Sequence, residues 1–411
     1  MQAIDALTLR VNSKDLIANL ICSMPQSKLD VAPHLVSILC RQTRRISDPN
    51  ACVSERCSIL YWETAVRFGL GPVLAQHWRI DGQVVPPKLS AVVAQYELDV
   101  RRRADLLAIY SRAILTGLCK IGVSALIYKG LPLSAHLYGE EIVRSSGDID
   151  VLVRRQDLCA VAAHLEGLGL TCVVALDWLN RRLLTQNFFE VEWRDPLVGV
   201  EVDIHWHLAP RWIPHVDITA QLLADGAAIK IGGQPWPWCS AGKIWYIQLI
   251  ELIKADWLEP KSLVSFAHAW DIVLRDSDEH AAGLLLRTLP APLADCAVLL
   301  LNNSLHRRVP DEWIESAQQN GLAGIAARRI HAVYFAPQPN NQFASASALL
   351  RAVRYLSCGW ALPKTIFSRI FTPHYLDLAA VQPNANRAQL AMAKIRRLSP
   401  GRKRRGMLND R

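Results

Sequence analysis

The sequence predicts an α+β protein in which a short-stranded centre, residues 123–240, is framed by helical segments on both sides. Three observations carry that prediction. Leucine and alanine recur at helical spacing from Met1 to about Gly122. From Val123 the texture changes to short β-like runs alternating with helices, and after Ser240 the helical spacing returns. The expected organisation is a helical region over 1–122, an α/β core over 123–240, a helical region over 241–385 and a basic tail over 386–411.

The elements follow in order. "MQAIDALTLRVNSKDLIANL" carries Asp5 and alternates charge with aliphatics, which predicts an amphipathic helix rather than a signal peptide. "SILYWETAVRFGLGPVLAQHW" and "AVVAQYELDVRRRADLLAIYSRAILTGLCKIG" are helical, separated by the loop "DGQVVPP" from Asp81 to Pro87. "VSALIY" reads as a strand, "LPLSAHLYG" as a helix with Pro132 in its first turn, and "DIDVLV" as a second strand. "QDLCAVAAHLEGLG" is a helix stopped by glycine, with Asp157 in its first turn. "NFFEVEWRD" and "GVEVDIHWHL" are set to pair as antiparallel strands around Pro196 and Gly199. "KIWYIQLIELIKADWL" and "SLVSFAHAWDIVLRD" then return to helix, with further helical runs to about Leu362.

Composition narrows the class. With 411 residues and 51% hydrophobic side chains the chain can bury a sizeable core. No stretch reaches the roughly 18 uninterrupted apolar residues of a membrane span, since runs such as Ala297–Leu301 are soon bounded by polar residues. A cytoplasmic protein is expected. The ten cysteines are scattered, and the closest pair, Cys52 and Cys57, has no histidine at zinc-ligand spacing. Reduced thiols are therefore expected. The formal charge of +9 is concentrated at one end: Lys394–Arg411 holds eight Lys/Arg and one Asp, which leaves +2 for the rest. A disordered basic tail is expected there, a candidate for weak nucleic-acid contact or simply a solvated terminus.

The stretch "ALIYKGLPLSAHLYGEEIVRSSGDIDVLV" carries the chemistry. On a strand, positions i and i+2 share a face, so Asp148 and Asp150 point together, away from Ile149, Val151 and Val153. Held side by side they repel, and a bound cation would offset that repulsion. In "GVEVDIHWHL", Val200, Val202, Ile204, Trp206 and Leu208 share one face; Glu201, Asp203, His205 and His207 share the other. If the two strands are neighbours, Asp203 comes near Asp148 and Asp150. Three converging carboxylates, completed by substrate phosphates, suit Mg2+. Ahead of them, the step Lys129-Gly130 runs from a strand into a helix and offers free amides at a positive dipole end, a seat for phosphate. It lacks Walker spacing, because Leu131 and Pro132 follow Gly130.

These motifs resemble the bacterial nucleotidyltransferases of the DNA polymerase beta-like superfamily, in particular a largely uncharacterised group with a leading Lys-Gly, then Tyr, then Arg-x-x-x-Asp-Ile-Asp, and a later Asp-Ile-His-Trp strand. The resemblance runs from about Leu60 to the helix holding Asp271. It implies a nucleotidyltransferase fold with a mixed β-sheet core and Mg2+-dependent transfer of a nucleoside monophosphate from an NTP to an acceptor hydroxyl, with pyrophosphate release. It further implies Asp148, Asp150 and Asp203 as catalytic and metal-binding residues, with Lys129, Gly130 and Arg144 at the nucleotide. Glu201 competes with Asp203 for the third carboxylate, and Lys254 and Asp271 also resemble family positions. The acceptor is open among a small molecule, a peptide and an RNA. Two other readings stand beside this one. His205-x-His207 could open a zinc amidohydrolase site, which would need a (β/α)8 barrel. Alternatively, the core could be a non-catalytic module for nucleic acid or protein.

Overall fold

The computed structural model describes residues 55–80, 85, 87–174, 188–210, 213, 215–335 and 349–353, with the isolated positions 39, 389 and 392. The amphipathic N-terminal helix, the Cys52/Cys57 pair and the basic tail from Lys394 lie outside the described residues and side chains.

Helices α1 (Glu55–Arg67) and α2 (Gly71–Ile80) precede the long α3 (Pro87–Lys120), which Pro87 opens. Proline suits a first helical position, where no partner for its missing N–H is needed. The centre then alternates: β1 (Ala125–Ile127), α4 (Gly130–Tyr138), β2 (Asp148–Val153), α5 (Leu158–Gly167), β3 (Thr171–Cys172), β4 (Glu190–Arg194) and β5 (Glu201–His205). A short α6 (Thr219–Leu223) leads to β6 (Ala227–Ile231) and β7 (Gln234–Trp238). Helices follow: α7 (Ala241–Lys254), α8 (Pro260–Arg275), α9 (Glu279–Leu286), α10 (Ala291–Leu299), α11 (Asp311–Gln318) and α12 (Gly321–Tyr334). The architecture is α+β, as expected. Among the described residues no helix is long and apolar enough to cross a membrane.

Among the described residues the main sheet has five strands in the order β1-β2-β5-β4-β3. It is mixed: β2 and β5 run parallel, and the other neighbours are antiparallel. One face, with Ile149, Val151, Val153, Val202 and Ile204, packs on α3 and α5 through Leu107, Ile114, Val161 and Leu165. A second core joins the helices before and after the sheet, with Trp62 and Trp78 sharing it with Trp245 and Trp270. Trp206, Trp257 and Trp270 are all buried. Leu208 departs from the predicted face of β5 and joins this second core, because the strand ends at His205.

The β4–β5 hairpin sets the register that matters most. Asp195 Oδ1 accepts from the amides of Leu197 and Val198, and the Gly199 amide donates to the Asp195 carbonyl. Gly199 has φ +70°, a conformation that favours glycine. From α3 the Tyr110 hydroxyl donates to Asp195 Oδ2 and tethers the turn. A slip of one residue would turn Asp203 into the apolar core at a cost of several kcal/mol, so the pairing is strongly specified.

A second hairpin, β6–β7, was not anticipated. Pro235 and Pro237 on β7 argue against a strand, yet a two-stranded ribbon tolerates them where no ladder N–H is required. The legible signal was Gly232-Gly233, both at positive φ (57° and 76°), as a tight two-residue hairpin turn requires.

Candidate active site

The parallel pairing of β2 with β5 places Asp148 opposite Glu201 and Asp150 opposite Asp203. Antiparallel β4 adds Glu192 opposite Asp203 and Glu190 opposite His205. Because strand side chains alternate, these acids share the face turned away from the α3–α5 core. Like charges directly opposite one another are destabilising, so this face needs cations.

The protein supplies some of its own. Lys129 Nζ lies 2.9 Å from Asp150 Oδ1 and 3.3 Å from Glu251 Oε2 on α7. Lys254 Nζ holds the other Glu251 oxygen at 2.9 Å. His205, 1% exposed, places Nε2 3.0 Å from Asp150 Oδ1 and Nδ1 3.4 Å from Glu190 Oε2. The result is a chain of paired polar groups from α7 to the sheet: Lys254, Glu251, Lys129, Asp150, His205, Glu190. The Tyr128 ring braces it, edge-on to His205 and under the Lys129 ammonium. Burial would raise the Asp150 carboxyl, but Lys129 and His205 outweigh it and hold Asp150 well below the usual carboxylate range. Burial would likewise lower Lys129, and Asp150 with Glu251 holds it well above its ordinary value.

Asp203 has the opposite surroundings. Burial, then the charges of Glu190, Asp150, Asp148 and Glu192, push its carboxyl up to about 8. Asp148 is also raised by burial and by Asp150, with Lys129, Lys261 and Arg144 opposing. Asp150, Asp203 and His205 each offer a ligand atom, all within 4.8 Å of one another. Two carboxylate oxygens and an imidazole nitrogen, with unbalanced negative charge at Asp203, fit a divalent cation. Asp148 lies outside this group, at the first position of β2.

The predicted residues divide accordingly. Asp203 rather than Glu201 joins the ligand group; Glu201 is paired with Arg194 at 2.6 Å. Arg144 donates Nε to Ser265 Oγ at 3.3 Å, and its amide donates to Ser134 Oγ at 2.9 Å. Lys254 belongs to the charge chain, whereas Asp271 is bound to Arg307 at 2.7 Å in the helical region. His205 and His207 diverge: His207 lies beyond β5 with Nδ1 2.9 Å from Asp217 Oδ2. That divergence and the five-stranded mixed sheet are both incompatible with the amidohydrolase reading. Sequence reasoning missed Glu190, Glu192, Glu251 and Lys261. The alternation in "EVEW" could have found the first two; Glu251 and Lys261 sit on helices whose docking no local pattern encodes.

Gly130 opens α4 at φ +63°, and a Cβ there would stand 3.2 Å from Ser146 Oγ. Ser146 in turn donates to the Asp148 carbonyl at 2.9 Å, so the glycine lets the turn close against the start of β2. Gly130→Ala is expected to cost about 1–2 kcal/mol through the left-handed backbone alone. A urea melt would register it, and a melt indistinguishable from wild type would refute the requirement.

Comparison with protein families gives a match over residues 60–289 to a family described as "Uncharacterised nucleotidyltransferase". Comparison with curated proteins and with solved structures returned no match.

Proposed function

The chain belongs to this uncharacterised nucleotidyltransferase family, and on that premise we propose that it is a Mg2+-dependent enzyme moving a nucleoside monophosphate from an NTP to an acceptor hydroxyl. The observation that carries the proposal is the pairing of Asp150 with Asp203 across two parallel strands, beside the Lys129-Gly130 turn.

Asp150, Asp203 and neighbouring Asp148 would hold the metal. Bound there, it would supply Lewis acidity at the phosphates and neutralise charge on the entering and leaving oxygens. The chain's own groups do the rest. Lys129 and His205 keep Asp150 ionised and fixed in orientation. Asp203, ionised once a cation offsets its acidic neighbours, accepts the proton of the acceptor hydroxyl. The acceptor oxygen forms its bond to the α-phosphorus as the bond from that phosphorus to the bridging oxygen breaks. Pyrophosphate leaves with the electron pair, and the proton on Asp203 passes to solvent. We place the reaction in the cytoplasm, where nucleoside triphosphates are at hand. The basic tail is proposed to add salt-sensitive nucleic-acid contact, lost on deleting Lys394–Arg411.

The test is to incubate the full chain with each of the four α-labelled NTPs, Mg2+ and a cell extract. Transfer of label to one class of molecule, with stoichiometric pyrophosphate and none in EDTA, is the expected result. No labelling and no pyrophosphate from any NTP would overturn the reading.

A further inference from the structure

The charge of Lys129 is already engaged by Asp150 and Glu251, so it is poorly placed to meet a triphosphate as well. Other cations must do so, and one pair acts on Asp148 without a direct ion pair of its own among the described residues. Lys261, in the first turn of α8, donates Nζ to the Ser145 carbonyl at 2.8 Å. Arg144, the residue before Ser145, reaches Ser265 on the same helix. Both side chains are half-buried, and among the described residues neither has a carboxylate within ion-pair distance. The nearest acid in sequence, Glu259, acts on Lys261 at longer range and accepts its hydrogen bond from the Ser262 hydroxyl.

We propose that Arg144 and Lys261 together form the seat for the phosphate chain of the nucleotide, and so define the side from which pyrophosphate departs. The proposal rests on the nucleotidyl-transfer reading; Arg144 is already expected at the nucleotide, and what is added is Lys261 of α8 and the pairing of the two.

Three further observations support it. The site is polarised: β4 brings Glu190 and Glu192 to the Asp203 side, whereas Arg144 and Lys261 meet α8 and the backbone just ahead of Asp148. Asp148 therefore stands at the border, with a cationic wall on the side of α8 and an acidic one on the side of β4. Second, burial and the neighbouring Arg144 press Lys261 down to about 7 although Glu259, Asp148 and Asp150 oppose them, so the ammonium gains from an added anion. Third, the backbone between the two cations is pinned. Ser145 Oγ donates to the Gly69 carbonyl at 3.0 Å, and Arg103 donates to the Gly147 carbonyl at 2.6 Å. A preorganised pair of this kind binds anions without first ordering a loop.

Inorganic tripolyphosphate tests the seat without requiring turnover. Its binding to the full chain would be measured by calorimetry, with and without Mg2+, in wild type, Arg144→Met, Lys261→Met and Lys261→Arg. Loss of one charge-assisted contact is expected to weaken binding by about ten- to a hundredfold in each Met variant, with Lys261→Arg retaining most of it. Mn2+ binding, followed by electron paramagnetic resonance, is expected to be unchanged in all of them. In wild type, tripolyphosphate is also expected to shield Lys261 from reductive methylation read by mass spectrometry, a readout that no folding defect can imitate. Met variants that bind as wild type does, or a Lys261 methylated at the same rate with and without tripolyphosphate, would overturn the seat while leaving nucleotidyl transfer standing. A wild type that binds neither tripolyphosphate nor any NTP would remove the enzymatic reading itself.

Discussion

Asp150→Asn is expected to lower nucleotidyl transfer by about a thousandfold or more, the scale on which removal of a preorganised charge at a reacting phosphate acts. Asp150 is the one carboxylate of the three that its neighbours hold below the usual range; Asp148 and Asp203 are both raised. Burial opposes the charge on Asp150, and Lys129 at 2.9 Å with His205 at 3.0 Å overcomes the opposition. Asparagine keeps the shape and loses the charge, so metal affinity falls together with turnover. The fold survives because Lys129 retains Glu251 at 3.3 Å and is not left wholly uncompensated. The stability cost is therefore expected near 1–3 kcal/mol, below the roughly 3–5 kcal/mol of orphaning a buried charge. The acid dependence has a definite sign. A carboxyl depressed in the folded state stabilises above its unfolded pKa near 4, and that contribution is lost as pH falls. The variant should therefore lose less stability than wild type on acidification below pH 4. Labelled-NTP turnover and urea melts at pH 7, pH 4 and pH 2 check both halves; turnover within tenfold of wild type would sink the assignment.

The two carboxylate strands were legible in the sequence because strand alternation is a local property. "DIDVLV" and "GVEVDIHWHL" announce which side chains share a face, and the turn at Pro196–Gly199 announces the hairpin. Their adjacency was not local. The parallel pairing of β2 with β5 joins segments about fifty residues apart, and only the charge pattern hinted at it. The role of Lys129 was harder still. From sequence it stood before a glycine at a helix start and read as a phosphate contact. The partner that redirects it, Glu251, comes from a helix more than a hundred residues later. Lys261 was invisible for the same reason: nothing in "EPKSLVSF" says that this helix turns its first residues toward Arg144. His205 was legible as a member of the acidic face of β5; its bond to Asp150 and its place among the ligand atoms follow from the pairing of β2 with β5.

Asp203→Asn should separate stability from function, and in opposite directions. In the metal-free protein Asp203 gains nothing from being charged: every neighbouring charge that acts on it is an acid, and its carboxyl is raised to about 8. A raised carboxyl means that the folded state holds a proton which the unfolded state, with a pKa near 4, has released. Stability is then fully present below pH 4 and declines as pH rises toward 8, by at most about 1.4 kcal/mol per pH unit for this one group. Asparagine cannot ionise, so the metal-free variant should be more stable than wild type at pH 8 and show a flatter profile between pH 5 and 8. A divalent cation should achieve in wild type what the substitution achieves without it. At a hundredfold excess over its dissociation constant it adds about 2.7 kcal/mol, and in Asp203→Asn that gain should largely vanish. Transfer activity should fall with it, because the proton acceptor and a metal ligand leave together. Thermal melts across pH, with EDTA and with Mg2+, are sufficient. A variant less stable than wild type at pH 8 in EDTA would mean that the carboxylates do not repel as their packing implies. The protein would then have no electrostatic reason to bind a cation at that face.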